Sequence, residues 1–130
     1  MTYLWVGIGG AIGSIARYWL SVVMTALTGP QFPWGTILIN VLGSFIIGFF
    51  GTLTAHDGRM SVPTDLRIFV MTGICGGFTT FSAFSLQTFD LAHDGRWFNA
   101  AANVLLSVVA CLVAVTLGFF AAAAMNGTKG

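Results

Sequence analysis

The chain has 130 residues, of which 56% are hydrophobic and only 7% charged, with a formal net charge of +1 at pH 7. Soluble domains carry roughly 25% charged residues, so a water-soluble globular fold is excluded and an integral membrane protein is expected. No nucleic-acid partner is expected, and no nucleophile–base pair, His/Cys metal cluster or Gly-rich phosphate loop points to an enzyme.

A spanning helix needs about 20 apolar residues. Four stretches supply them, near residues 3–27, 34–54, 66–92 and 98–125. The short connections between them predict one all-α domain over 1–130, an antiparallel up-down bundle in the lipid bilayer. The first stretch starts Met1-Thr2-Tyr3-Leu4 without Lys or Arg, so it lacks the positive region of a secretory signal and reads as a retained helix. Arg17 falls inside it, after Gly9-Gly10 and Gly13. A buried Arg costs at least about 2.5–3.5 kcal/mol on insertion scales, so it needs carbonyl partners, water or a route to the headgroups. Snorkelling is the structural reading. The functional one is a cationic lure in an aqueous vestibule that concentrates anions.

Gly29-Pro30-Gln31-Phe32-Pro33 forms the first loop. In the second stretch Thr36, Asn40 and Ser44 recur at i, i+4 and i+8 beside Gly43, which puts them on one helical face. Such a stripe can glue helices at about 0.6 kcal/mol per hydrogen bond. Alternatively it lines a polar path, where the Asn40 amide can donate to a passing anion. His56-Asp57-Gly58-Arg59 to Pro63-Thr64-Asp65 forms the second loop.

The third stretch is long for a single span. At 73–84 it reads Gly-Ile-Cys-Gly-Gly-Phe-Thr-Thr-Phe-Ser-Ala-Phe, where lipid demands unbroken helix. Non-helical backbone survives at that depth only when protein buries it or water reaches it. A glycine-kinked packing helix is the plain reading. Freed carbonyls, hydroxyls and aromatic edges suggest instead an interrupted helix with an ion site.

Asp94-Gly95-Arg96-Trp97 leads into the fourth stretch, where Asn103, Ser107 and Cys111 form a second i, i+4, i+8 stripe. Cys75 and Cys111 both lie in spans, so packing roles are expected rather than a disulfide. Trp5, Trp34 and Trp97 sit near span ends, as interfacial Trp does, while Trp19 lies deeper. Arg59, Arg67 and Lys129 fall on the side of the termini; Arg96 falls opposite, joined by Arg17 if it reaches that interface. So weak a bias under the positive-inside rule suggests insertion in both orientations.

Gly9-Gly10 to Arg17, then Gly35-Thr36-Ile37-Leu38-Ile39-Asn40-Val41-Leu42-Gly43, then Gly76-Gly77-Phe78-Thr79-Thr80-Phe81-Ser82-Ala83-Phe84 resemble the CrcB/Fluc fluoride channels over nearly the whole chain. The resemblance implies a passive fluoride channel in the cytoplasmic membrane that relieves fluoride toxicity. It implies four spans with the third interrupted, assembled as an antiparallel dual-topology homodimer with two pores. It further implies a structural sodium ion at the dimer interface, held by the backbone carbonyls of Gly76 and Thr79 from each copy. Phe81 and Phe84 match the family's pore phenylalanines, Asn40 its pore asparagine, and Ser107 a polar-track position.

The chain departs from the pattern at Cys111 and Val115, where relatives often carry Ser and Thr, and at Gln87, where many carry Glu. Fluoride is small and strongly hydrated, so a pore must replace its water. The Asn40 amide, the hydroxyls of Thr80, Ser82 and Ser107, and the positive edges of aromatic rings are suited to do so. Two other classes compete. A small dual-topology multidrug-type exporter should carry a membrane glutamate, and this chain has no glutamate at all. A non-transporting assembly subunit would use the same glycines and stripes for packing alone.

Overall fold

The computed structural model of the protein describes residues 1–127, so Lys129 lies outside the described residues. The described residues are helical apart from short loops and include four helices long and apolar enough to cross a membrane: Thr2–Thr28, Trp34–Leu53, Thr64–His93 and Trp97–Gly127. The first two are α1 (Thr2–Thr28) and α2 (Trp34–Leu53), and the fourth is α6 (Trp97–Gly127). The third is composite. It comprises α3 (Thr64–Ile68), a π-helical segment (Phe69–Cys75), α4 (Gly76–Phe78) and α5 (Phe81–His93).

Local chemistry sets the helix ends. Gly29 closes α1 at φ 80°, a left-handed conformation that costs glycine nothing. Pro33, which has no N–H to leave unsatisfied, precedes α2. At the end of α5, Arg96 N–H donates to Leu91 O at 2.8 Å and Gly95 N–H to Ala92 O at 3.0 Å. With Gly95 at φ 82°, these two bonds form a Schellman motif that satisfies the terminal carbonyls and turns the chain directly into α6.

Sequential spans run antiparallel, but the closest packing joins helices two apart, which run parallel. α1 lies along the π-helical segment and α4, and α2 lies along α6. The first pairing is a backbone-to-backbone seam of Gly9 and Gly13 against Gly73 and Gly77. A Cβ at Gly9 would sit 2.6 Å from Phe69 O, and one at Gly77 2.6 Å from Gly10 O. Small residues four apart allow such approach inside a membrane, where no hydrophobic force drives helices together. Gly48 and Gly118 do the same for α2 and α6, with a Cβ at Gly48 falling 2.5 Å from Val115 O. Ile39, Asn103 and Ala122 are at most 1% exposed.

The arginines near the polar end cap helix C-termini. Arg67 donates to Gly51 O at 3.0 Å and Thr54 Oγ1 at 3.2 Å, and Arg59 Nη1 donates to Met125 O at 3.2 Å. Both place a cation where the macrodipoles of α2 and α6 are negative. Trp5 meets Phe69 edge to face with centroids 5.6 Å apart, whereas Trp19 faces outward. Cys75 and Cys111 are free thiols.

Candidate ion site

Between α4 and α5 the backbone leaves the helical region at two residues, Thr79 (φ −82°, ψ 157°) and Thr80 (φ −151°, ψ 117°). Two extended residues remove the i+4 donors of the preceding carbonyls, and side chains take over the released groups. Thr80 N–H, which would donate to Gly76 O in a continuous helix, donates to Asn40 Oδ1 at 2.8 Å. Asn40 Nδ2 returns a bond to Thr80 O at 3.1 Å. The Asn40 amide therefore pairs with the extended residue as a neighbouring β-strand would, using one of its two N–H groups.

Ala83 N–H would donate to Thr79 O in a continuous helix. It donates instead to Thr80 Oγ1 at 3.1 Å, making Thr80 the N-cap of α5. Arg17 Nε donates to Gly77 O at 3.1 Å. The carbonyls of Gly76 and Thr79 thus lose their helical donors to side chains, while those of Gly77 and Thr80 acquire new ones. Arg17 is half-buried on the α1 side of the break, holding a carbonyl rather than standing near the loops.

On the opposite side of the break, a groove of about 410 Å³ opens between α2, the break and α6. Asn40, Gly76, Thr79, Thr80, Phe81, Phe84 and Ser107 all line it. Of the residues singled out in the sequence, Ser82 and Arg17 stand outside this lining, as do Thr36 and Asn103 of the two polar stripes; Ser82 Oγ lies 3.3 Å from Thr80 Oγ1. Phe81 and Phe84 place their ring centroids 5.3 Å apart at 52°, within the usual range for an aromatic pair. Their surroundings differ: Phe84 is 9% exposed and Phe81 is 77% exposed. Cys75 and Cys111 also face the groove, whose wall is mostly apolar with polar atoms concentrated near the break.

The α6 stripe is wired to α5 by a residue the sequence reading did not single out. Ser107 Oγ donates to Asn103 Oδ1 at 3.2 Å, Asn103 Nδ2 donates to Thr88 Oγ1 at 2.8 Å, and Thr88 Oγ1 donates to Phe84 O at 2.8 Å. Thr88 follows Phe84 by four residues and so shares its face, the one signal that could have drawn attention to it. Gln87 points elsewhere, toward the polar cavity near Asp90 and Asp94, with Oε1 buried and lacking a hydrogen-bond partner among the described residues.

A side-chain-supported break in a spanning helix, flanked by donors and ring edges, suits a small desolvated ion. Residues 4–119 match the family described as CrcB-like protein, Camphor Resistance (CrcB). The chain belongs to this family. CrcB relatives are similar along the whole length. A protein of Methylocella silvestris named fluoride-specific ion channel FluC is 55% identical over 130 residues, covering 100% of this chain and 99% of the relative. One of Opitutus terrae with the same name is 57% identical over 128 residues, covering 98% of this chain and 97% of the relative. A third, of Rhodospirillum rubrum, also named fluoride-specific ion channel FluC, is 56% identical over 126 residues, covering 97% and 98%. The matched CrcB region contains every residue that lines the groove.

Proposed function

We propose that this chain is a passive, fluoride-selective ion channel of the cytoplasmic membrane that exports fluoride and so relieves its toxicity. The observation that carries the reading is full-length similarity to proteins named fluoride-specific ion channels, at 55–57% identity. The geometry supports it. Fluoride must exchange its water for several weak donors and still leave again. The groove offers the remaining Asn40 N–H, the hydroxyls of Thr80 and Ser107, and the rings of Phe81 and Phe84. An aromatic ring carries positive potential at its edge, so an anion can be held there without a fixed charge. Ser82, whose Oγ lies 3.3 Å from Thr80 Oγ1, supplies a further hydroxyl behind that of Thr80. Arg17 adds positive potential from behind the break through the Gly77 carbonyl.

The functional unit in this reading is an antiparallel, dual-topology homodimer whose third spans, interrupted at Thr79–Thr80, meet at a common axis. Phe81 supports it, being a large apolar ring that lines the groove yet stays 77% exposed in a single copy. The charge balance supports it too, with Arg59 and Arg67 on one side and Arg96 on the other among the described residues. Sodium fits the break, because Gly76 and Thr79 are the carbonyls whose helical donors have gone to Asn40 and to Thr80 Oγ1. Hard cations take oxygen ligands of this kind. When bound, sodium supplies positive charge beside both grooves and satisfies acceptors that lipid cannot.

Liposomes containing only this protein and loaded with fluoride test the channel. Efflux is expected under potassium and valinomycin without a proton gradient, with chloride retained; equal loss of both anions defeats the selectivity. A tag on the chain's C-terminal end should be reached from both faces of the membrane. One orientation in fully active protein contradicts the antiparallel dimer.

A further inference from the structure

We infer that Asn103 is a positioning residue whose side-chain amide reverses orientation so that Ser107, which presents lone pairs to the groove, presents its proton there when an anion occupies it. The inference rests on the channel reading above and concerns residues that reading leaves unused. Asn103 is 1% exposed and does not line the groove; neither does Thr88. Ser107 is the member of the chain Ser107–Asn103–Thr88 that does.

As the bonds stand, the Ser107 proton points away from the groove, to Asn103 Oδ1 at 3.2 Å. A hydroxyl has one proton, so this Ser107 presents lone pairs to the groove and would repel an anion. Turning Ser107 alone toward the anion would strip a buried amide oxygen of its donor. Turning the amide by half a rotation avoids that. Its NH₂ then donates to Ser107 Oγ, its oxygen accepts from the Thr88 hydroxyl, and the Ser107 proton is released to the groove.

The heavy atoms of both arrangements nearly coincide, since amide O and N are close to the same size. Thr88 makes this possible because its hydroxyl can donate as well as accept. At present it accepts from Asn103 Nδ2 at 2.8 Å and donates to Phe84 O at 2.8 Å. In the reversed arrangement it gives its proton to Asn103. The amide N–H behind Ser107 also polarises the hydroxyl and makes it a stronger donor. No proton leaves the chain and no charge is formed, so the change is reversible and demands no titration.

The test is a double-mutant cycle on fluoride efflux from liposomes, pairing Asn103→Leu, and separately Asn103→Asp, with Ser107→Ala. The Asp variant keeps the size of Asn103 and can accept from the Ser107 and Thr88 hydroxyls, but has no N–H to turn toward Ser107, so it also serves if the Leu variant fails to fold. With Ser107 present, Asp, which accepts the Ser107 proton and cannot release it, should slow efflux roughly three- to tenfold, the factor of one net hydrogen bond, and Leu, which only removes the N–H behind Ser107, should slow it less. In the Ser107→Ala background the effect of Leu should vanish and that of Asp should shrink to its charge alone.

The same factor in both backgrounds overturns the inference, because a purely structural Asn103 would act regardless of Ser107. As a readout independent of flux, the side-chain ¹⁵N–¹H signals of Asn103, assigned by their loss in a substituted chain, should move on fluoride addition in wild-type protein and stay in place in Ser107→Ala. Signals that do not move in wild type, or that move equally in both, also overturn it. Absence of fluoride efflux from wild-type protein would instead defeat the channel reading itself.

Discussion

Asn40→Leu separates a structural clamp from an ornament of the groove. The substitution keeps the side-chain bulk and removes both bonds to Thr80, at 2.8 and 3.1 Å. An unpaired buried donor or acceptor costs about 1–3 kcal/mol, so the pair would cost about 2–6 kcal/mol in a dry site. Asn40 is half-buried and lines an open groove where water can substitute, which places the expected loss near the low end, about 2 kcal/mol. The bared Thr80 N–H can then return to Gly76 O and knit α4 toward α5, closing the break. Efflux should therefore fall by about tenfold or more, the rate equivalent of 1.4 kcal/mol, and thermal stability in detergent should fall with it. Asn40→Asp keeps the bond from Thr80 N–H but sets an acceptor against Thr80 O and puts a negative charge in the anion path. It should be more stable than the Leu variant and conduct no better. Fluoride-electrode recording of efflux, with a melting curve on the same preparation, decides the matter. Wild-type efflux and melting in Asn40→Leu would refute the clamp.

The two phenylalanines should respond differently. Phe84→Ile removes a ring buried at 9% exposure and should cost about 1–2 kcal/mol of stability as well as flux, whereas Phe81→Ile, at 77% exposure in one copy, should spare the folded monomer and cut flux. Near-normal fluoride efflux in both variants would remove them from the pore. Replacing sodium with lithium or a large organic cation should reduce flux while the protein stays folded by circular dichroism. Full activity in sodium-free buffer would reject the proposed use of the Gly76 and Thr79 carbonyls.

Hydropathy made the helical class and the four candidate spans legible, because lipid punishes any twenty-residue stretch that is not apolar. The Gly95 turn was equally readable, since few residues other than glycine adopt φ 82° at a helix end. The stripe on α2 put Asn40 on a definite face, but its partner is backbone 40 residues away, which no periodicity reveals. Arg17 was recognisably in need of carbonyls; that the carbonyl would be Gly77, 60 residues on, follows only from the seam that brings α1 against α4. The π-helical segment left no mark in the sequence. Its residues, Phe69–Cys75, are apolar apart from Thr72, so a change from 3.6 to a wider turn alters no periodic pattern. Thr88 was missed because a threonine inside an amphipathic helix usually bonds its own i−4 carbonyl, which it does here too, and only the approach of α6 gives it Asn103.

The parallel pairing of helices two apart bears on how the chain comes together during synthesis. α1 and α2 meet at Gly35, whose missing Cβ would face Met24 and Ser21, but neither finds its closest neighbour in the other. The glycine face of α1 waits for the third span, and that of α2 waits for α6; the bonds that join these pairs span 60 residues for Arg17–Gly77 and 74 for Thr52–Asn126. A growing chain with two spans in the bilayer therefore carries two unfilled glycine grooves against lipid. Both fill only as the second half arrives, and they fill in the order of translation. Consolidation is thus set by the late helices: α1 gains its closest neighbour only with the third span, and α2 only with the last.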